Sequence, residues 1–476
     1  MDKPNVIKEL HKIYGINNFV NQEIIDDLYE NFEVLNCNSQ HNINIISIFF
    51  HEIVVFLTSW VIIKNSDTKY LNDAELPFVS SSFIEQKAPR FSFSNSPEIK
   101  WSKKFKILSL ISKLVPFKKN ISISNNVPSF FLNKLKFIFI FNYRLILPST
   151  SKIYFQDSER QIEFLKSTIN NVSNKYNLSL NEYKIEAFIS YVRQFIIARD
   201  ITCEEGLITG TNLNINSRIL SANRIVNSKK VIASDHSLLG LKIVNEPFCE
   251  YGEFAFITDY FDNRKSVIED KNIRFTPNIH IHNNSINLRE IPKNIDRNKK
   301  KLKYIYIPTS FAGNYLYGPY RNFEDKLYSK WQLYMLNFYS DLDITVKAHP
   351  KSKGDIKYAD TLNVIYGSVE EELKNYDVII LDYISSAFAT SMLSSLPVVY
   401  FDLSIRDINR SASSDIKESC YYYKINLDKD LPIQLKLAHD DFAKFSDLKS
   451  ANFNKKYLLN KKSITVKKVL KILNEK

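Results

Sequence analysis

The sequence predicts an α/β chain in which two doubly wound parallel sheets follow a mainly helical segment. From residue 304 onward, short β-branched and aromatic runs alternate with helical patterns, as in proteins with a parallel sheet. A second strand–helix–strand unit lies between residues 206 and 234. The length of 476 residues also exceeds what one hydrophobic core usually organises, so two domains are expected.

In the second half, each element follows from the spacing of apolar residues. Helix-like periodicity and short apolar runs alternate there, which predicts strands joined by crossover helices. Strands are predicted at 304–308, 344–347, 363–366, 377–381 and 397–401, and helices at 322–339, 369–375 and 386–395. Leucines and valines spaced among lysines at 455–476 predict a closing helix.

The first half contains a less regular version of the same pattern. A strand at 206–210, a helix at 217–229 and a strand at 231–234 predict a second Rossmann-like core. The short basic stretch 295–303 is interpreted as the linker between the domains. We therefore expect a mainly helical region over 1–150, a Rossmann-like domain over 151–298 and a second one over 299–476.

Composition places the chain among folded proteins of a reducing compartment. Its hydrophobic fraction of 44% excludes general disorder, and its four cysteines are scattered without metal-ligand spacing. The polar N-terminus does not resemble a secretory signal, so a cytoplasmic location is expected. The apolar run at 45–63 could span a bilayer by length, but His51 and Glu52 near its middle favour a buried helix.

The formal net charge of +12 indicates an anionic partner. Between residues 100 and 119, lysines interleave with aliphatic and aromatic residues, a mixture suited to lying on an anionic membrane surface. The alternative interpretation is an ordinary amphipathic helix with a solvated lysine face.

Polar residues stand at or just after the ends of three predicted strands of the second half. Ligands of open parallel sheets bind at the carboxyl ends of strands, so we expect these residues to converge on one binding edge. The set comprises Thr309, Ser310, Lys347, His349, Asp382, Ser385 and Ser386.

This set has the chemistry of a phosphate site. Ser385 and Ser386 begin a predicted helix, where backbone N–H groups and the helix dipole attract anions. One serine could instead serve only as the helix cap. His349 could donate to a phosphate oxygen or protonate a leaving phosphate, and Lys347 could add positive charge.

These residues also carry a resemblance to a family. KAHP at 347–350, followed by DVIILDYISSAFATSMLSSLPVVYFD at 377–402, resembles the donor half of bacterial surface-carbohydrate transferases, especially teichoic acid glycerophosphotransferases and capsule transferases. Bacterial sialyltransferases likewise use a His-Pro and a Ser-Ser motif to hold a cytidine monophosphate donor. Lys347 stands where the glycerophosphotransferases usually carry arginine, which replaces a bidentate fork with a point charge.

The resemblance implies a GT-B fold, in which two Rossmann-like domains face a cleft, and a nucleotide-activated donor that is CMP- or CDP-linked. It implies no cofactor and no obligatory metal. The acceptor would be a surface glycan or a lipid-linked molecule. By the same likeness, His349 would bind or protonate the donor phosphate, and Ser385 and Ser386 would bind phosphate.

The first domain should then supply the acceptor site and a base. Asp235 and His236 follow the predicted strand at 231–234, at a place where relatives often have a histidine-glycine pair, so His236 is a candidate base. The acidic segment downstream makes Glu250 an alternative. This region, with the LNCNSQH segment at 35–41, resembles surface-polysaccharide transferases of unassigned activity.

Two other functions stay open at the level of sequence. A sugar-nucleotide epimerase would share the two-domain architecture without a membrane or polymer acceptor. A nucleic-acid-binding protein would use the basic charge and the 27 tyrosines, but no recognition helix, RNP pattern or zinc module is present. No nucleic acid is therefore expected among the partners.

Overall fold

The computed structural model contains two six-stranded parallel sheets, each with helices packed on it. It describes residues 3–31, 43–65, 96–113, 119–124, 143–234, 247–262, 275, 277–281, 302–309, 314–349, 363–394, 396–405, 408, 410–442, 451–458 and 466–474. The predicted α/β class with two Rossmann-like domains is confirmed.

The first sheet has the strand order β2-β1-β5-β6-β7-β8, and all its neighbouring strands are parallel. Its strands are β1 (Lys119–Ile123), β2 (Tyr143–Ile146), β5 (Leu207–Ile208), β6 (Val231–Ser234), β7 (Asp259–Asp262) and β8 (Asn278–Ile281). A separate parallel pair joins β3 (Ile153–Tyr154) to β4 (Ile196–Ile197). The helices are α3 (Lys103–Ser112), α4 (Ser158–Lys175), α5 (Glu182–Arg193), α6 (Ile215–Val226) and α7 (Pro247–Phe254).

The second sheet has the order β11-β10-β9-β12-β13-β14. Its strands are β9 (Lys303–Ile307), β10 (Asp343–Lys347), β11 (Asn363–Ile365), β12 (Val378–Leu381), β13 (Val398–Asp402) and β14 (Tyr421–Lys424). Its helices are α8 (Asn314–Phe338), α9 (Val369–Glu372), α10 (Ser386–Leu393), α11 (Arg410–Ser419), α12 (Leu431–Phe442) and α13 (Ala451–Phe453). The strands predicted for this half lie within one or two residues of the observed ones.

The region before residue 150 is not only a helical addition. β1 and β2 lie there and form one side of the first sheet, so the first Rossmann-like fold extends across the predicted boundary at 150. These strands are hard to recognise from the sequence because each is short and begins with polar or charged residues; β1 reads KNISI.

The apolar run at 45–63 forms α2 (Ile45–Asn65), a core helix of the first domain. By length and composition this helix could cross a membrane, but 94% of its apolar window, Ile45–Ile62, is buried inside the protein. The interpretation as a buried helix is therefore confirmed. Its charged residue Glu52 is neutralised by Arg218 of α6, which it contacts through both carboxylate oxygens at 2.7 and 2.5 Å.

The described helices nearest the two termini link the domains. The first part of α1 (Lys3–Asn31) is buried in the core of the second domain, and its last part is buried in the core of the first. At the other terminus, α14 (Val466–Asn474) packs on the first sheet through Val469, Leu470 and Ile472. The predicted closing helix thus packs on the first domain, although it follows the second in sequence.

Gly206 permits this close packing of α14. A Cβ atom at this position would lie 2.6 Å from Cδ2 of Leu473 and 3.1 Å from the carbonyl oxygen of Lys230. A side chain here would have to displace the end of the Leu473 side chain and would crowd the carbonyl oxygen of Lys230.

Candidate functional site

The second sheet has its topological switch point between β9 and β12. From β9 the chain adds β10 and β11 on one side, then crosses over to add β12 and the following strands on the other side. The loops that leave β9 and β12 therefore turn in opposite directions, which opens a crevice at their carboxyl ends. Thr309 follows β9 at this place, and Asp382 follows β12.

Asp382 is a buried hub of hydrogen bonds at the switch point, only 1% exposed. Its Oδ2 accepts from Tyr306 Oη at 2.5 Å and from Gln332 Nε2 at 2.9 Å. Its Oδ1 accepts from the backbone N–H of Thr309 at 3.0 Å. The sequence predicts that Asp382 and Thr309 both bind the ligand. In the structure, Asp382 holds the loop that follows β9 in place and also bonds to Gln332 of α8.

The sequence analysis did not identify Tyr306 and Gln332, the two side chains that donate to Asp382. Tyr306 looks like an ordinary β-strand aromatic, and Gln332 lies inside an apolar helical pattern. The available signal was Gln332 itself, because a polar residue on the buried stripe of a helix needs an internal partner. Gln332 is fully buried, as that position in the pattern requires.

Lys347 lies on the opposite face of the same sheet. Successive side chains of a strand point to opposite faces. Val346 and Ile380 belong to the core layer under α8, whereas Ile379 and Leu381 belong to the layer that includes Phe388 of α10. Lys347 and α10 therefore share one face, and Asp382 points to the other.

Lys347 is a buried lysine without a carboxylate partner among the described residues. It is 2% exposed, and its Nζ donates to the carbonyl oxygen of Ala348 at 3.1 Å. Burial lowers the pKa of its ammonium group, and the more distant carboxylates of Glu372 and Glu370 oppose that effect only in part. An anion bound at this place would supply the charge partner that the ammonium group lacks.

The N-terminus of α10 lies beside the switch point, directly after β12. Ser385 is its N-cap residue, and its Oγ accepts from the backbone N–H of Ala387 at 3.2 Å. The capping alternative thus applies to Ser385, although its hydroxyl proton is still available to donate. Ser386, the first helical residue, is exposed.

His349 follows β10, where the N–H of Ala348 still bonds to Ile365 of β11. Its side chain is partly buried. The strands that precede His349 and Ser385 share the predicted binding edge but are not neighbours, because β9 lies between β10 and β12. The strands β10 and β12 are thus two strand spacings, or about 10 Å, apart.

Of the predicted catalytic residues, the structure describes Glu250 of α7. Its side chain is 6% exposed, and its Oε1 accepts from the backbone N–H of Phe275 at 2.8 Å. This contact anchors the chain ahead of β8. Asp235, His236 and Ser310 lie outside the described residues.

The first sheet also has a switch point, between β1 and β5. Ser124 follows β1 and Thr209 follows β5; both are buried, and their hydroxyl oxygens are 2.9 Å apart. The sequence reasoning did not single them out, although a hydroxyl residue directly after an apolar strand is the signal that selected Thr309. Among the described residues, no group of three or more His, Cys, Asp or Glu side chains could hold a metal ion.

Comparisons with known proteins find matches only among solved structures. No protein-family model matches the sequence, and no curated protein sequence matches it. MurG of Acinetobacter baumannii is 9% identical with a TM-score of 0.39, covering 75% of this chain and 99% of its own. The spinosyn forosaminyltransferase SpnP is 10% identical with a TM-score of 0.37, covering 75% of this chain and 100% of its own. The spinosyn rhamnosyltransferase SpnG with spinosyn aglycone is 9% identical with a TM-score of 0.33, covering 69% of this chain and 91% of its own.

Proposed function

We propose that this protein is a transferase that moves a sugar or polyol-phosphate group from a nucleotide-activated donor to a glycan or lipid-linked acceptor. The observation that supports this proposal is the buried ammonium group of Lys347, which has no carboxylate partner among the described residues and lies on the same face of the sheet as α10, next to the switch point. The ammonium group and the N-terminus of α10 both attract a phosphate, and no glycine-rich loop is required.

In this proposal the donor diphosphate or phosphate lies along the carboxyl ends of β10, β9 and β12. The N–H groups at the start of α10 and the hydroxyl group of Ser386 bind one part, and Lys347 neutralises another. His349 donates to the oxygen that leaves with the nucleotide. Asp382 contributes indirectly, because it fixes the backbone of Thr309 at the edge of the crevice.

The first domain would bind the acceptor. The acceptor oxygen forms a bond to the transferred group while the bond from that group to the nucleotide phosphate breaks. The acceptor proton passes to a base, for which His236, Asp235 and Glu250 are the candidates, and the nucleotide departs with its charge held by the second domain.

The donor and the place of the reaction are further parts of the proposal. A cytidine nucleotide is the donor that we propose, on the strength of the His-Pro and Ser-Ser resemblance. The reaction would take place in the cytoplasm, at the inner face of the membrane, where a lipid-linked acceptor is available.

A thermal-shift screen of the purified protein against CMP, CDP, UDP, GDP and ADP tests the proposal. A ligand that binds only the native state raises the unfolding temperature with increasing occupancy. We expect a cytidine nucleotide to stabilise the wild-type protein and this shift to be lost in His349→Ala and Ser386→Ala. Both side chains are at least partly accessible, so the unfolding temperature without nucleotide should stay the same.

Ser158→Ala is the matched control, because Ser158 is the first residue of α4 in the other domain, as Ser386 is of α10. It should leave the nucleotide shift intact. Stabilisation by UDP alone would point to a UDP-sugar transferase or epimerase. If no nucleotide stabilises the protein, or if both site variants bind like the wild type, the proposed donor site is wrong.

A further inference from the structure

The helix α3 presents an apolar outer surface to solvent. Ile107, Leu110 and Ile111 are 49%, 62% and 45% exposed, although they lie within one ten-residue helix. Exposed aliphatic residues that occur singly are ordinary, but three on adjacent turns form a continuous patch. We call these three residues the α3 patch.

The inner surface of α3 is fixed to the first sheet, so the patch is held outward. Phe105 is buried in the core beneath the sheet. The Oγ of Ser109 donates to the carbonyl oxygen of Leu145 at 3.2 Å, and the Oγ of Ser112 accepts from its N–H at 3.2 Å. A helix bonded in this way to the edge strand β2 cannot turn to bury the opposite side.

The charged side chains that the structure describes on α3, at its C-terminal end and on β2 are all basic. Lys103, Lys106 and Lys113 are exposed on the helix or at its end, and Arg144 is exposed next to Leu145 on β2. The sequence contains no aspartate or glutamate between Glu98 and Asp157. Any partner that covers the α3 patch must therefore meet a basic rim.

A second exposed aliphatic pair in the same molecule lacks this property. Ile433 and Leu437 of α12 are 60% and 63% exposed, one turn apart. Exposed Asp430 and Asp440 lie near them. Apolar exposure alone is therefore common to both helices, and the uninterrupted basic rim distinguishes α3.

We propose that the α3 patch docks on an anionic lipid bilayer. A helix about 15 Å long would lie in the interface, with its aliphatic side chains inserted among the acyl chains and its lysines paired with lipid phosphates. The occupant is the bilayer because it combines an apolar interior with a dense negative surface. The proposal deepens the proposed function by naming where a lipid-linked acceptor would be met, but the docking itself does not require the donor site.

Vesicle flotation of the full-length protein tests this proposal. Phosphatidylcholine vesicles with and without phosphatidylglycerol serve as the probes, at low and high salt. The wild type should bind the anionic vesicles, less so at high salt and weakly to neutral ones. The variant I107S/L110S/I111S should bind the anionic vesicles at least about tenfold less, because it loses the inserted apolar area.

The matched control is I433S/L437S, which removes aliphatic residues of α12 that are at least as exposed as most of the α3 patch and should bind like the wild type. Both variants should fold, because all five substituted side chains are exposed, and thermal unfolding checks this. Wild-type protein that ignores anionic vesicles, or an α3 variant that binds like the wild type, would overturn the proposal. A concentration-dependent dimer that the α3 variant abolishes, without vesicle binding, would assign the patch to a second copy of the chain.

The two proposals fail separately in these experiments. The α3 variant should keep its nucleotide-induced thermal shift, because α3 belongs to the first domain and the donor site to the second. Vesicle binding without any nucleotide shift would leave the docking surface in place and remove the donor site. A nucleotide shift without vesicle binding would support the donor site and remove the docking surface.

Discussion

Two charged residues of the second sheet, Lys347 and Asp382, differ in what surrounds them, and the period of two along a strand is the reason. Asp382 points to the α8 face, where Tyr306 and Gln332 donate to it. Lys347 points to the α10 face, where its acceptor among the described residues is the carbonyl oxygen of Ala348. The Asp382 carboxylate is thus satisfied within the protein, whereas the described residues give the Lys347 ammonium group no carboxylate partner.

Lys347→Met should therefore separate stability from binding. The substitution keeps the apolar stem and removes a buried charge, so we expect the free energy of unfolding to stay the same or to rise by about 1 kcal/mol. Nucleotide affinity should fall about tenfold, because the phosphate loses its cation. Urea unfolding and nucleotide titration of the same preparation measure the two effects. A stability loss with unchanged affinity would show that Lys347 is a structural residue.

The same lysine sets the direction of the pH dependence. Because burial lowers its pKa below the ordinary lysine value, its ammonium group loses the proton at a lower pH than a surface lysine does. Wild-type nucleotide affinity should thus decline as the pH rises toward the ordinary lysine pKa of about 10.4, where phosphate, with its second pKa near 6, is already fully ionised. Lys347→Met should flatten this decline.

The sequence was sufficient to select the residues after strands, but it could not assign their faces. Strand ends at Lys347 and Asp382 follow from apolar periodicity, and the N-cap role of Ser385 follows from serine preceding a helix. The Asp382 carboxylate accepts a hydrogen bond from Gln332, which lies fifty positions earlier in the sequence. Only the packing of α8 on the sheet brings these two residues together. Likewise, the position of β9 between β10 and β12 depends on sheet order, which local patterns do not encode.

At the scale of elements, α2 and α6 show how a polar helix becomes a core helix. All residues of α6 from Ile215 to Ile225 are buried, including Arg218. The Arg218 guanidinium contacts both oxygens of Glu52 and donates to the carbonyl oxygens of Ile48, Asn212 and Leu213. Burial alone would raise the pKa of Glu52, but Arg218 and His51 hold it below the usual range.

Arg218→Met should destabilise the first domain by about 3 to 5 kcal/mol, because it leaves the Glu52 carboxylate buried without its cation. Arg193→Met is the matched control: Arg193 makes the same two-bond contact with Glu159 at 2.6 and 2.8 Å, but both side chains are exposed. That substitution should change stability little. Equal shifts of the urea midpoint in the two variants would contradict this account.

The ion pair of Glu52 and Arg218 also determines how the stability of the protein changes with falling pH. Since the folded-state pKa of Glu52 is below its ordinary value, its contribution to stability is present above that ordinary value and is lost as the pH falls through the lowered one. The sequence indicated that the helix carrying Glu52 is buried in the protein rather than in a membrane. It did not indicate Arg218, because that arginine lies 166 positions away in a stretch with ordinary polar content.

At the scale of the whole molecule, α1 is shared between two cores. Its buried positions follow a heptad spacing through Ile7, Leu10, Tyr14, Asn17 and Asn21 to Ile24 and Leu28. The residues up to Tyr14 belong to the core of the second domain, and those from Ile24 onward to the core of the first. The two buried asparagines lie where the stripe passes from one core to the other. Periodicity predicts the helix, but it cannot reveal that one stripe serves two domains.

Leu10→Ala and Leu28→Ala form a matched pair, because both leucines are fully buried in the same stripe of the same helix. Each should cost about 2 to 5 kcal/mol through the cavity it leaves. The loss should be local: Leu10→Ala should raise amide exchange in β9 and β12, and Leu28→Ala should raise it in β5 and β6. Hydrogen-exchange mass spectrometry of the full chain distinguishes these sheets. If either variant loosened both sheets equally, α1 would join the domains into a single cooperative unit, and domain movement about this helix would then require that it detach from one core.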